Sequence, residues 1–468
     1  MTDQIDLLEL DIETAHRGYK EGTFTARDVT AYYLSRIAAW NDTLHAVLQV
    51  NPDALFEAEA CDRAYRKGVR LPLLGIPVLI KDNVETDGLM KTTAGAMALS
   101  DHFARRDAEL VRRLRENGAV ILGKANLSEW ANFLTENMPN GWSAVGGQTK
   151  NPYGDNLDVG GSSSGSASAV AANLTLLAVG SETSGSIVHP SVHNSIVGIK
   201  PTVGLISRSG IIPISRSQDT AGPMARTLRD AVLALEAMCG ADPSDPATLH
   251  IPAGPPYSTC LDERQALGMR VGYVKIELSA EEQTLYDQAL GLLKESGIEL
   301  IEVEIPNDAS LDQGDILYHE FKLGVEAYLA TTSLPYKTLT DLIEWNTAHS
   351  ETIPHGQVTF EKANQLSGRL TESAYLKRRL DDVRSAKTDG LDRLLSEQKL
   401  HGLVLPHDFN YDMAAKAGHP TITIPYTVKQ SGAPFGLSFT GSSYSERDLI
   451  RLAFAFERHV TRPLPVNA

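Results

Sequence analysis

Cysteine is scarce in this chain of 468 residues: Cys61, Cys239 and Cys260 are odd in number, far apart and in no C-x-x-C pair. That excludes a disulfide framework or a zinc knuckle and points to a reducing compartment. Long apolar runs are missing too. The longest, Leu71 to Ile80, carries two prolines and falls short of the roughly 20 residues a membrane helix needs. The first six residues are acidic and lead into no apolar segment, so no secretory signal is expected. Excess positive charge is also lacking. Lys and Arg number 43 against 59 Asp and Glu, a formal charge of −16. Phosphate and anionic-membrane recognition are built from clustered Lys and Arg, so neither nucleic acid nor a membrane is an expected partner. The sharpest basic run, Arg105, Arg106, Arg112, Arg113 and Arg115, interleaves with Asp107, Glu109 and Glu116 at helical spacing and reads as a solvated helix. A soluble, cytoplasmic protein is the expectation.

What is present is ordinary globular arithmetic: 42% hydrophobic and 22% charged residues, enough chain to bury a large core without metals or cross-links. Residues 1–70 read as helices. Ile5, Leu8, Ile12 and Ala15 share one face, Val29, Tyr33 and Ile37 repeat the pattern after an N-cap at Thr25, and a third helix begins at Pro52. Ile76 to Ile80 is a buried-strand run, a helix follows from about 108 to 116, and Ala119 to Leu122 is strand again. Such strand–helix–strand units build sheets with helices on their faces. Further strands are expected at 174–179, 270–274, 299–304, 403–405, 421–424 and 436–439. Helices are expected near 280–295 and 446–458, and the stretch from about 310 to 400 reads as mostly helical. The fold class is α/β, a large mixed β-sheet flanked by helices on both sides. The 468 residues form one domain: 1–70 helical, 72–224 the catalytic core, 241–400 a variable substrate-side region, and 401–468 the rest of the core.

Two glycine–serine clusters carry the chemistry. Gly160-Gly161-Ser162-Ser163-Ser164-Gly165-Ser166 precedes an alanine-rich helix, and Thr183-Ser184-Gly185-Ser186-Ile187 follows a strand. Small residues at a strand-to-helix turn let backbone N–H groups face a cavity and hold an anion. A phosphate loop lacks its G-K-[ST] ending here, and no spaced glycine triplet makes a dinucleotide fingerprint. The other reading is an oxyanion hole around a nucleophilic Ser186, with the N–H groups of Thr183, Ser184, Gly185 and Ser186 meeting the developing charge. A serine needs a base. His189 and His193 are four apart but enclose no H-E-x-x-H acid, and they read as helix-surface or packing residues. Lys81, at the end of an apolar strand where desolvation favours the neutral amine, is the remaining candidate.

At this point the chain resembles the amidase signature family, whose members use a Ser–cis-Ser–Lys triad. The matching stretches are Leu74 to Asn83, Gly123-Lys-Ala-Asn126, Gly160 to Gly165, Ser181 to Ile187, Gly198 to Thr202, Gln218 to Pro223, and Gly418 to Gly436. Within the family, Gly180 to Ile187 and Ile212 to Thr220 are most similar to the peptide amidase branch. The resemblance implies Ser186 as nucleophile, Ser162 as the cis-serine relay following a cis peptide from Gly161, and Lys81 as terminal base. It implies no cofactor and no metal. The implied substrate is a small linear amide or carbamate, including peptide amides, cleaved to acid and amine or ammonia.

Three departures bear on substrate rather than on the triad. Ser164 stands before Gly165 where most members have a glycine pair. Ser184 stands in the oxyanion loop where the usual string has glycine and the peptide amidase branch has aspartate. Val188 replaces an arginine two residues after the nucleophile. Candidate pocket residues are Met138, Trp142, Val188, His189, Tyr318 and Trp345, with Tyr375 a further aromatic. Asn126 and Glu129 read as structure beside the site, Lys200 as structural, and Asp219 as a brace for the loops or a plain turn residue. The alternatives to an amide hydrolase are a component of an amidotransferase complex that converts misacylated tRNA and a non-catalytic scaffold of the same fold.

Overall fold

The computed structural model describes residues 7–305 and 314–466. Among the described residues there are thirteen strands: β1 Val47–Val50, β2 Pro77–Lys81, β3 Val120–Ala125, β4 Trp142–Ser143, β5 Gly147–Gln148, β6 Leu177–Glu182, β7 Val197–Lys200, β8 Thr220–Ala225, β9 Arg270–Val274, β10 Glu299–Val303, β11 Gly402–Pro406, β12 Thr421–Val428 and β13 Pro434–Thr440. Eleven of them form one mixed sheet in the order β1-β3-β2-β6-β8-β7-β12-β13-β11-β9-β10, while β4 and β5 pair as a small hairpin. The β2–β3, β2–β6, β9–β10 and β9–β11 pairs are parallel, and the others are antiparallel. β2, β3, β6 and β8 are buried along their whole length. That burial is why β2, β3 and β6 read as continuous apolar runs rather than alternating ones.

The N-terminal helix departs from expectation. It spans Ile12–Glu21 and starts where the Asp11 side chain accepts the Thr14 N–H at 2.6 Å. Leu8 therefore precedes the helix and is exposed, because the cap at Asp11 fixes the entry point; Ile5 lies outside the described residues. The second helix, Ala26–Leu44, begins at Thr25 with a reciprocal capping box to Asp28 and buries Val29, Tyr33 and Ile37. The third spans Ala54–Arg66. The basic run lies on and just before the helix Glu109–Glu116, where Arg112 and Arg113 pair with Glu109 and Arg115 with Glu57 and Asp107. Among the described residues, no helix is long and apolar enough to cross a membrane.

From Gly314 to β11 the chain is mostly helical, with Gly314–Thr331, Leu339–Ala348, Val358–Asn364 and Ser373–Asp382 as its principal helices. Phe321, Leu329, Leu342 and Phe360 from this segment join Trp130, Phe133 and Ile214 from the earlier chain in a second apolar core. Ile212 and Ile214 of that core bound a space beside Glu182, the last residue of β6.

Candidate active site

Lys81 is the last residue of β2, and the strand's apolar run carries it into the interior, where none of its surface reaches solvent. Its Nζ lies 2.8 Å from Ser162 Oγ, 3.0 Å from Ser163 Oγ and 3.0 Å from the Ser181 carbonyl oxygen. Burial pushes the amine down to about 7, although the carboxylates of Glu182 and Asp219 pull the other way. Asp82 faces away, as alternation along a strand requires. Its Oδ2 accepts from the Thr93 N–H at 3.0 Å, and its Oδ1 lies 3.7 Å from Lys124 Nζ.

The three neighbours of Lys81 determine how protons are placed. The Ser163 hydroxyl donates to the Ser181 carbonyl at 3.1 Å, so its Oγ is left to accept from Lys81. The carbonyl can only accept. A neutral Lys81 therefore spends its two N–H groups on Ser163 and Ser181 and aims its lone pair at the Ser162 hydroxyl. An ammonium in the same place donates to all three. The shell holds both protonation states without orphaning a buried group.

Ser162 follows Gly161 through a cis peptide bond and sits just before the helix Ser164–Ala171. Gly165, inside that helix, leaves no room for a side chain. A Cβ there would stand 2.4 Å from the Ala46 carbonyl oxygen and 2.5 Å from the backbone of Asn126. Ser186 lies in the turn between β6 and the short helix Val188–His193, and the Ser163 N–H donates to its carbonyl at 3.1 Å, which joins the two serine loops. Glu182, at the end of β6, accepts the N–H groups of Ile187 at 2.6 Å and Val188 at 3.0 Å through one carboxylate oxygen. The first turn after Ser186 is thus fixed by a buried acid.

The loop 183–186 is braced from two sides. Thr183 Oγ1 donates to Asp219 at 2.5 Å, and the other oxygen of Asp219 accepts the N–H groups of Ile214 and Ser215. Burial pushes Asp219 up to about 6 despite these hydrogen bonds. Across the loop, Ser184 Oγ donates to Asp412 at 2.8 Å, so the unusual serine has a partner. Gly185 has φ +76°, and a Cβ there would lie 2.8 Å from the Tyr411 ring. Glycine is required on both counts.

Thr183, Ser184, Gly185, Ser186 and His189 line a cavity of about 490 Å³ together with Gly161, Asn132, Asn140, Thr135, Tyr411 and an apolar wall of Phe133, Ile214, Leu317 and Tyr318. A smaller space beneath it is bounded by Ser162, Ser186, Asn83 and Asp219. Of the expected pocket residues, His189 and Tyr318 line the cavity. Met138, Trp142, Val188 and Trp345 do not. Trp142 meets His355 edge-on at 4.8 Å, Trp345 stacks on His349 at 4.1 Å, and Val188 is buried. Tyr375 hydrogen-bonds Glu320 at 2.8 Å outside the cavity.

The neighbouring motif residues support the loops. Asn126 donates to the His45 carbonyl and accepts from Ser143 and the Leu127 N–H. Glu129, pushed up to about 8 by burial, accepts the Ala144 N–H at 2.8 Å. Lys200 is buried and donates to the His419 carbonyl. Sequence reasoning missed Ser163, Asp412 and Tyr411. Ser163 lies inside a cluster already singled out, whereas Asp412 comes from a helix 228 residues beyond Ser184 and carries no local signal.

The amidase family model matches residues 28–408. A probable amidase of Arabidopsis thaliana is 40% identical over 98% of this chain and 91% of its own length. A glutamyl-tRNA(Gln) amidotransferase component from Desulfatibacillum aliphaticivorans is 31% identical over 98% of this chain and 99% of its own length. The crystal structure of native peptide amidase from Stenotrophomonas maltophilia superposes with a TM-score of 0.94 at 43% identity, covering 98% of this chain and 99% of that one. The peptide amidase in complex with the competitive inhibitor chymostatin matches to the same extent. Motifs, sheet and relatives agree: the chain belongs to the amidase family and is an amidohydrolase that cleaves the C–N bond of amides.

Proposed function

We propose that Ser186 is the nucleophile, Ser162 the relay and Lys81 the terminal base of a hydrolase of linear amides. The observation that carries this is the buried Lys81 amine 2.8 Å from Ser162 Oγ. Neutral Lys81 takes the Ser162 proton as Ser162 takes that of Ser186, and Ser186 Oγ bonds to the substrate carbonyl carbon. The N–H groups of Thr183, Ser184, Gly185 and Ser186 hold the resulting oxyanion. The relay then delivers a proton to the leaving nitrogen as the C–N bond breaks, leaving an ester on Ser186. Water repeats the sequence, releasing the acid and restoring the serine.

The substrate we infer is a small linear amide, with peptide amides favoured. The cavity combines the apolar wall of Phe133, Ile214, Leu317 and Tyr318 with the polar Asn132, Asn140 and Thr135, which suits a side chain and a peptide group side by side. Carbamates present the same nitrogen-bearing carbonyl and fall within this chemistry. A cytoplasmic setting accords with the three free cysteines. Purified protein should release arylamine from an aryl anilide, and ammonia from a peptide amide, without ATP or partner chains. Turnover only with ATP and added partner chains would favour the amidotransferase role instead.

The Glu182 carboxylate raises the proton affinity of Lys81. Glu182→Gln keeps an oxygen for the Ile187 and Val188 N–H groups but removes the charge. The acid limb of the kcat/KM profile should then move to lower pH. An unmoved limb would separate Glu182 from the titrating base.

A further inference from the structure

At the helix that follows the nucleophile, His193, His407 and Asp408 converge outside the hydrolytic machinery, beside His189, which lines the catalytic cavity. His189 and His193 pack edge to face with centroids 4.3 Å apart, and His193 meets His407 at 5.1 Å. His407 and Asp408 follow β11 directly, so two segments more than 200 residues apart in sequence supply the cluster. One ligand atom each from His193, His407 and Asp408 lies within 4.8 Å of the others, and all three residues are half-buried.

Hydrogen bonds fix the lone pairs of His193 and His189. His193 Nδ1 lies 3.3 Å from the Asp158 carbonyl, which can only accept, so Nδ1 carries the proton and Nε2 keeps a lone pair. His407 Nδ1 is buried and stands 3.3 Å from Asp408 Oδ1. His189 is turned the other way. Its Nδ1 accepts the Gly161 N–H at 3.4 Å, which puts its proton on Nε2, 3.7 Å from Asp408 Oδ2. Bonds of about 2.1 Å at a tetrahedral angle place ligand atoms about 3.4 Å apart, close to the 3.3 Å between His407 and Asp408.

We propose that His193, His407 and Asp408 form a binding site for a divalent transition cation of the Zn²⁺ type, with His189 orienting Asp408 from the rim of the catalytic cavity. Two imidazoles and a carboxylate suit such an ion better than the all-oxygen sets of Ca²⁺ and Mg²⁺. From the sequence His189 and His193 read as packing residues; the proposed site uses only His193 of that pair and takes His407 and Asp408 from the far end of the chain. Bound there, the ion pins the turn that precedes Tyr411, whose ring covers Gly185, against the helix that follows Ser186.

Full-length protein, stripped with chelator, is titrated with Co²⁺ while its visible d–d absorption is followed, and with Zn²⁺ in competition. The expected result is one equivalent bound with intense low-symmetry bands displaced by Zn²⁺, and a melting temperature raised by Zn²⁺. His193→Ala and Asp408→Asn should each weaken Co²⁺ binding more than about 10-fold and abolish the thermal shift. Asp408→Asn is nearly isosteric and decides the matter if His193→Ala fails to fold. Equal Co²⁺ affinity in wild type and folded variants, or only the weak bands of hydrated Co²⁺, would overturn the site.

Discussion

Ser186→Ala should lower kcat/KM for an anilide or peptide amide by about 10⁴- to 10⁶-fold, the range seen when a nucleophilic serine is removed. Its melting temperature should change little. The substitution deletes one oxygen at the cavity floor, while the turn is held by backbone and by Glu182: the Ser163 N–H still reaches the residue 186 carbonyl, and Ile187 and Val188 still donate to Glu182. Substrate should bind almost as before, because the walls of the cavity are untouched. Ser162→Ala should be severe but leave more residual rate, since a water can bridge part of the path from Ser186 to Lys81. Mass spectrometry adds an independent readout: a phosphonylating reagent should modify wild type at Ser186 and leave Ser186→Ala unlabelled. Substantial turnover by Ser186→Ala, or labelling at another serine, would remove Ser186 from its role.

The strands that frame this site were legible to different degrees. β2, β3, β6, β9 and β11 announced themselves as short runs rich in apolar residues. β7 and β8 were not read as strands. β8 contains Gly222 and Pro223 yet lies between β6 and β7, with Pro223 facing Val179 across the ladder. Proline normally argues against a central strand because it lacks the ladder N–H. Here a Cβ on Gly222 would fall 1.9 Å from the Ile199 carbonyl oxygen, so close strand packing decides the residue type rather than propensity. β1 was missed because four residues, Val47-Leu-Gln-Val50, give too short a run to distinguish from a helix end.

The same division holds for the site. Residues within the glycine–serine clusters and at the end of β2 could be singled out locally, because backbone turn and side-chain chemistry coincide there. The walls of the cavity could not. Trp142 and Trp345 read as pocket aromatics by composition, but each finds a histidine partner elsewhere. Tyr411 and Asp412 reach the oxyanion loop only because β11 and β13 pair and carry the chain end back across the sheet.

The strongest test of the base lies in pH. Lys81 sits at about 7 rather than its ordinary 10.5, and it accepts a proton only as the neutral amine. The kcat/KM profile, which reports free-enzyme groups, should therefore climb about tenfold per unit below pH 7 and level off in the alkaline range. Lys81→Arg should lose at least about 100-fold, since guanidinium stays protonated and cannot take the Ser162 proton. Stability should carry the same signature with a definite sign. Below about 7 the folded and unfolded chains both hold the proton, and the folded state bears a buried charge. Between about 7 and 10.5 the unfolded chain binds a proton that the folded chain has released, so Lys81 makes folding more favourable as pH rises through that window. Lys81→Met, which cannot titrate, should accordingly gain on wild type as pH falls from 10.5 to 7, by up to about 4 kcal/mol. Denaturant melts of both proteins across that range measure the difference directly. A gap independent of pH, together with a flat activity profile, would mean that the Lys81 amine keeps its proton throughout and that another group draws the proton from Ser162.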